Sequence, residues 1–147
     1  NALQDKQLPV YGDGLQIRDW LYVEDHCEAI NFVLQFGKIG EVYNIGGDNQ
    51  KNNLEVVNLI CEILDELEPR RGGDSYKSLI KYVKDRTGHD RRYAIDIGKI
   101  KSQLNWKPSQ TFNTGIKKTV KWYLDNQSWV NKLTDVNYHK WINKNYK

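Results

Sequence analysis

The spacing of apolar and polar positions changes repeatedly along this 147-residue chain, and each change predicts an element. Residues 8–11 (Leu8, Pro9, Val10, Tyr11) form a short extended run. Gly12-Asp13-Gly14 follows as a tight turn, since glycine accepts positive φ without penalty, and residues 17–23 alternate as the returning strand. Asp25 can cap a helix running to Phe36, with Ala29, Ile30, Val33 and Leu34 as its buried stripe and Gly37 and Gly40 punctuating its end. A second clear strand, residues 41–45, stops at Gly46-Gly47. A polar loop then leads into a helix whose apolar stripe is Val57, Ile60, Leu64 and Leu67. Residues 69–75, with Gly72 and Gly73, make a connector to a strand over residues 79–83. Asp96 can cap a short helix over 97–104, which Asn105-Trp106-Lys107-Pro108 breaks. Thr111 caps a longer helix with Ile116, Val120, Tyr123 and Leu124 on one stripe. Short strands alternating with helices predict an α/β or α+β fold, a small sheet partly covered by helices, over residues 1–134. Residues 135–147 form an aromatic, lysine-rich and asparagine-rich C-terminal tail, suited to packing or to binding a partner.

Composition narrows the function classes. With 39% hydrophobic and 12% aromatic residues the chain can bury a core, and its net charge of +3 is too mild and dispersed to argue for nucleic acid or membrane binding. Cys27 and Cys61 both fall in apolar helical patterns, which predicts two buried free thiols. Together with His26, His89 and His139 they show no metal-ligand spacing. Asn126-Gln127-Ser128 matches the glycosylation pattern without any accompanying sign of secretion, and neither a signal peptide nor a long apolar span occurs; cytoplasmic residence is expected. The chain begins without methionine and contains none, which suggests a fragment of a longer polypeptide.

Candidate chemistry concentrates between Asp85 and Asp96, where ligand-competent side chains are densest. A strand leading into a charged, glycine-containing loop would hold Arg86 and His89 at its exit, and an arginine fork matches the oxygens of a phosphate. The alternative is a solvated face in which Arg86, Arg91 and Arg92 balance Asp85, Asp90 and Asp96. Alternation groups Arg18 with Trp20 and Tyr22, so Arg18 can stack on an aromatic ring or reach a phosphate. Asn53, just before Leu54-Glu55-Val56-Val57, is a natural N-cap, and that role alone explains it. Gly12-x-Gly14 is no dinucleotide motif, because Ile17 takes the third position and a strand, not a helix, follows.

The order of residues in Asp85-Arg86-Thr87-Gly88-His89-Asp90-Arg91-Arg92-Tyr93-Ala94-Ile95-Asp96 closely resembles the signature of the dTDP-glucose 4,6-dehydratases, members of the extended short-chain dehydrogenase/reductase superfamily. Thr87 departs from it, the family usually having proline there. The runs Pro9-Val10-Tyr11-Gly12-Asp13-Gly14 and Arg18-Asp19-Trp20-Leu21-Tyr22-Val23-Glu24-Asp25 resemble the motif that opens the substrate-binding half of sugar-nucleotide dehydratases and epimerases. Leu104-Asn105-Trp106-Lys107-Pro108 and the helix after it resemble the superfamily's C-terminal end. The likeness covers roughly residues 8–133 but only the C-terminal part of the longer family polypeptide.

That resemblance implies a substrate-binding set of Tyr11 near the nucleotide, Arg18 near the diphosphate, Asn53 at the loop-to-helix point, and Arg86 and His89 in the loop over nucleotide and diphosphate. Family enzymes bind NAD on an N-terminal Rossmann domain. There NAD takes hydride from sugar C4, water leaves across C5 and C6, and hydride returns to C6, giving dTDP-4-dehydro-6-deoxy-glucose. The glycine-rich NAD loop, the Tyr-x-x-x-Lys pair and the Thr-Asp-Glu acid/base set are absent here: Tyr11, Tyr22, Tyr43 and Tyr138 lack a lysine four residues on. The implied picture is a nucleotide-sugar-binding lobe with no catalytic residue and no cofactor or metal of its own, inactive alone, belonging to a homodimeric parent lyase that binds dTDP-glucose or a related sugar nucleotide. Alternatives are the same lobe of another nucleotide-sugar epimerase, dehydratase or decarboxylase, and a non-enzymatic interaction module using the tail.

Overall fold

A computed structural model describes residues 1–134 together with Tyr138, Lys140 and Trp141; most of the predicted tail, His139 included, lies outside the described residues. The elements are β1 (Leu8–Tyr11), β2 (Ile17–Asp19), α1 (Val23–Phe36), β3 (Gln50–Asn52), α2 (Asn53–Leu67), β4 (Ile80–Val83), α3 (Gly98–Leu104), α4 (Phe112–Asp125) and α5 (Gln127–Leu133). The α/β class expected from the sequence is therefore present. The sheet is divided between two strand pairs: β1 with β4 in parallel, and β2 with β3 antiparallel.

The expected return of β2 onto β1 does not occur. A tight turn does form at residues 11–14, with Gly14 N–H donating to the Tyr11 carbonyl. The next carbonyls are taken by the start of α2, however: Leu54 N–H donates to Gly14 and Asn53 N–H to Gln16, so the chain is led to the helix instead of back along β1. Strand β1 instead lies beside β4 in the register Leu8↔Ile80 to Tyr11↔Val83. Gly12 N–H extends that ladder to the Val83 carbonyl, which brings the exits of both strands together.

Residues 41–45 are also not a paired strand. Their burial alternates as a strand's would, with Tyr43 and Ile45 turned toward the core and Val42 75% exposed, but no strand pairs with them among the described residues. Pleating was encoded locally; pairing needs a neighbour.

Two apolar clusters hold the elements. In one, Cys61, Ile63 and Leu64 of α2 meet Tyr76, just before β4, and Val120 of α4, with Leu8, Ile80, Ile116 and Leu124 at its edge. In the other, Ala29 of α1 meets Ile97, Ile100 and Trp106, flanked by Phe32, Val33, Tyr43 and Ile45. The α1 stripe is narrower than predicted, because Ile30 and Leu34 turn away from α3 and Leu34 is 80% exposed. Tyr123 of α4 is likewise exposed. Cys61 is a buried free thiol, and burial pushes its pKa up to about 11. Cys27, expected to be buried, is exposed on the outer side of α1.

Caps correct further expectations. Asn52, not Asn53, is the N-cap of α2: its side chain accepts from Glu55 N–H at 2.8 Å while the Glu55 carboxylate accepts from Asn52 N–H, a reciprocal capping box. Asp25 does not cap α1, which starts two residues earlier. Its buried carboxylate accepts from Ser109 Oγ and Gln110 N–H, tying α1 to the segment before α4. Thr111 caps α4 as expected through Thr114 N–H, whereas Asp96 lies one residue before the N-cap of α3, Ile97, and accepts from Gly98 N–H.

Candidate functional site

The parallel pairing of β1 and β4 decides where the charged loop lies. Leaving β4, the chain reaches Asp85 beside Gly12, whose φ of +59° and missing side chain both matter: a Cβ there would come within 2.7 Å of Asp85 Oδ2. Gly88, at φ +70°, makes the tight turn expected within the loop, and His89 N–H closes it onto the Arg86 carbonyl. The loop then runs along β2, where Ile17 N–H donates to the Arg91 carbonyl and Tyr93 N–H to the Ile17 carbonyl.

Around this frame the four arginines fall into two kinds. Arg91 lies 2.9 Å from both oxygens of Asp13, an exposed bidentate pair, and Arg92 donates through Nε and Nη2 to Gln50 Oε1. Arg86 and Arg18 have no carboxylate partner among the described residues. Arg86 Nη2 lies 3.0 Å from His89 Nε2, and its guanidinium is 5.1 Å from the centre of the Tyr11 ring. Arg18 donates to the carbonyls of Ile17 and Asp90 and lies 4.7 Å from the Tyr93 ring centre. Its aromatic neighbour therefore comes from the charged loop and not from Trp20 or Tyr22, because β2 ends at Asp19. A guanidinium backed by an aromatic face and not paired with a carboxylate is in a state in which it can grip an anion.

His89 is held from both sides. Its side chain is only 4% exposed, and Nδ1 lies 2.6 Å from Asp85 Oδ1. Arginine can only donate, so Nε2 accepts from Arg86 and the proton sits on Nδ1, facing Asp85. Asp85 Oδ1 also accepts from Arg86 N–H, and Oδ2 accepts from Gln16 Nε2 at 3.1 Å. The bond from His89 first, and then that from Arg86 N–H, hold the Asp85 carboxyl below its ordinary range. Tyr93 OH donates to Asp90, and that bond raises the phenol's pKa.

The five residues named from the sequence thus lie along one connected set of contacts. Tyr11, Arg86 and His89 meet directly, and Arg18 reaches the backbone of Asp90 next to His89. Asn53 joins through its N–H to Gln16, which holds Asp85; its side chain, relieved of capping by Asn52, makes none of the described hydrogen bonds. Sequence reasoning missed Gln16 and the structural part of Asp85, since a glutamine between a turn and a strand carries no signature until its partner is known. It also missed Asp19, which accepts from Gly47 and Asn49 N–H and so fixes the loop entering β3.

An apolar groove of about 540 Å³ opens elsewhere, lined by Trp20, Tyr22, Phe112, Trp122 and Trp129 among others, and none of the five residues borders it. Among the described residues no group of three His, Cys, Asp or Glu could hold a metal ion. Gly12 and Gly14 join two strands, so this pair does not form the strand-to-helix turn that cradles a dinucleotide.

Known proteins resemble this chain both in sequence and in structure. The sequence profile of the GDP-mannose 4,6 dehydratase family matches residues 1–119. The chain is 58% identical over 146 residues to a dTDP-glucose 4,6-dehydratase of Salmonella typhimurium, covering 99% of this chain and 40% of that protein. Among solved structures, a dTDP-glucose 4,6-dehydratase of Bacillus anthracis in complex with NAD superposes with a TM-score of 0.75 at 51% identity, over 88% of this chain and 38% of that one. The corresponding enzyme of Streptomyces venezuelae, with NAD bound, gives 0.76 at 40% identity, over 88% of this chain and 37% of that one. The chain spans about two fifths of the length of the curated relatives it matches.

Proposed function

The chain belongs to the GDP-mannose 4,6 dehydratase family, and from that premise we propose that it is the part of a dTDP-glucose 4,6-dehydratase that grips the nucleotide and diphosphate of the substrate. The observation that carries this reading is the pair of guanidiniums, Arg18 and Arg86, each backed by a tyrosine ring and neither paired with a carboxylate among the described residues. Two such groups, one on β2 and one on the loop after β4, suit a diphosphate, whose charge is spread over several oxygens. Asn53 begins α2, its side-chain amide making no hydrogen bond among the described residues, and a helix start adds N–H donors favourable to an anion.

A protein of the relatives' full length built around this chain would convert dTDP-glucose to dTDP-4-dehydro-6-deoxy-glucose and water. NAD would supply hydride acceptance and return there, bound outside the residues of this chain. The role of this chain is positional: binding energy spent on the remote nucleotide and diphosphate holds the sugar where chemistry can occur. Such a protein would be a cytoplasmic homodimer with no nucleic-acid or membrane partner. Among the described residues no helix is long and apolar enough to cross a membrane.

Calorimetric titration of the protein at its full natural length with dTDP, UDP and GDP tests the reading. Saturable binding with dTDP preferred is expected. Preference for UDP or GDP would reassign the chain to another nucleotide-sugar enzyme of the family, and absence of saturable binding by all three would remove the nucleotide-sugar reading.

A further inference from the structure

We infer that Gln16 and Asp85 are positioning residues for the anion site: they act through His89 to hold the Arg86 guanidinium over Tyr11. The inference rests on the reading of Arg86 as a diphosphate ligand and adds what keeps it in place.

Four contacts run in sequence. Gln16 Nε2 donates to Asp85 Oδ2, His89 Nδ1 donates to Asp85 Oδ1, Arg86 Nη2 donates to His89 Nε2, and the guanidinium then lies against the Tyr11 ring. Each bond fixes the direction of the next. A carboxylate only accepts, so Asp85 draws the imidazole proton to Nδ1 and leaves Nε2 with a lone pair. That lone pair is a neutral acceptor, which orients the arginine without cancelling its charge. A carboxylate in the same place would pair with Arg86 as Asp13 pairs with Arg91, and compete with the ligand.

Gln16 shows how strongly this arrangement is specified. It is 2% exposed, and its Oε1 is buried with no hydrogen-bond partner among the described residues, an arrangement that costs free energy. Turning the amide over would put Oε1 against the Asp85 carboxylate, so the observed orientation favours the Asp85 bond over satisfying its own carbonyl. Gly12 completes the seat, since any side chain there would meet Asp85.

The test uses the protein at its full natural length. Long-range ¹H–¹⁵N spectra of its histidines, recorded without ligand, should show neutral His89 with the proton on Nδ1, assigned by loss of the signal in His89→Gln. In Asp85→Ala the proton should redistribute toward Nε2, and the Kd for thymidine diphosphate should rise about tenfold, the loss expected for one hydrogen bond to a charged group. Asp85→Asn keeps an acceptor for Nδ1–H and lets Gln16 turn its carbonyl to the new amide, so it should retain the Nδ1 proton and most of the affinity. A proton on Nε2 in the unaltered protein, or unchanged thymidine diphosphate affinity in a folded Asp85→Ala, would overturn the inference. Should Asp85→Ala not fold, the ligand-free spectrum and Asp85→Asn still decide it. Failure of the unaltered protein to bind any nucleoside diphosphate would overturn the functional reading instead, and the ligand-free spectrum separates the two failures.

Discussion

Arg86 and Arg91 lie five residues apart in one loop, yet their surroundings give them different work. Arg91 is 60% exposed and neutralised by Asp13, whose own pKa is lowered first by Leu15 N–H and then by Arg91. Arg86→Ala should weaken thymidine diphosphate binding by about tenfold or more, whereas Arg91→Ala should cost about twofold or less, both measured by calorimetry. Equal losses would mean the loop acts as a diffuse basic patch. Sequence alone located this loop and its arginine-histidine pair, because so dense a run of ligand-competent types is itself a signal. It could not sort the arginines, because partnership with Asp13, Gln50 or Tyr11 is set by chain segments far away. Asn53 is a different case: Asn52 and Glu55 are spaced as a capping box, a signal present in the sequence that points to Asn52.

Elements were legible where their causes are local. The helices α2 and α4 follow from apolar stripes and polar caps, and Asn52→Ala or Thr111→Ala should each lower the free energy of urea unfolding by about 1 kcal/mol. Pairing of strands was not legible. The Gly12-Asp13-Gly14 turn forms, but its flanking strands find β4 and β3, partners supplied by distant sequence. Asp25 failed as a cap for the same reason, since its bonds go to Ser109 and Gln110, 84 and 85 residues away. In the second cluster, Ile100 is fully buried at the meeting of α1 and α3, and Ile100→Ala should cost about 2–5 kcal/mol in the same assay.

Across the whole molecule, Asp13, Glu41, Glu55, Asp65 and Asp85 all have pKa values lowered by hydrogen bonds from backbone, hydroxyl, imidazole or lysine groups. A carboxyl whose folded pKa lies below its unfolded one favours folding above the unfolded value and loses that contribution as pH falls through the folded value. The ordinary values are 3.8 for Asp and 4.5 for Glu, so the urea midpoint should hold above that range and fall steadily below it. A midpoint unchanged down to about pH 3 would contradict these assignments. One consequence of the pleated but partnerless segment 41–45 concerns handling in the test tube. Unpaired among the described residues and with Val42 bare, the segment is a sticky margin on which copies of the isolated chain can zip together. Scattered light from the isolated chain should therefore climb with concentration, and Val42→Lys, a charged gatekeeper at that margin, should flatten the climb.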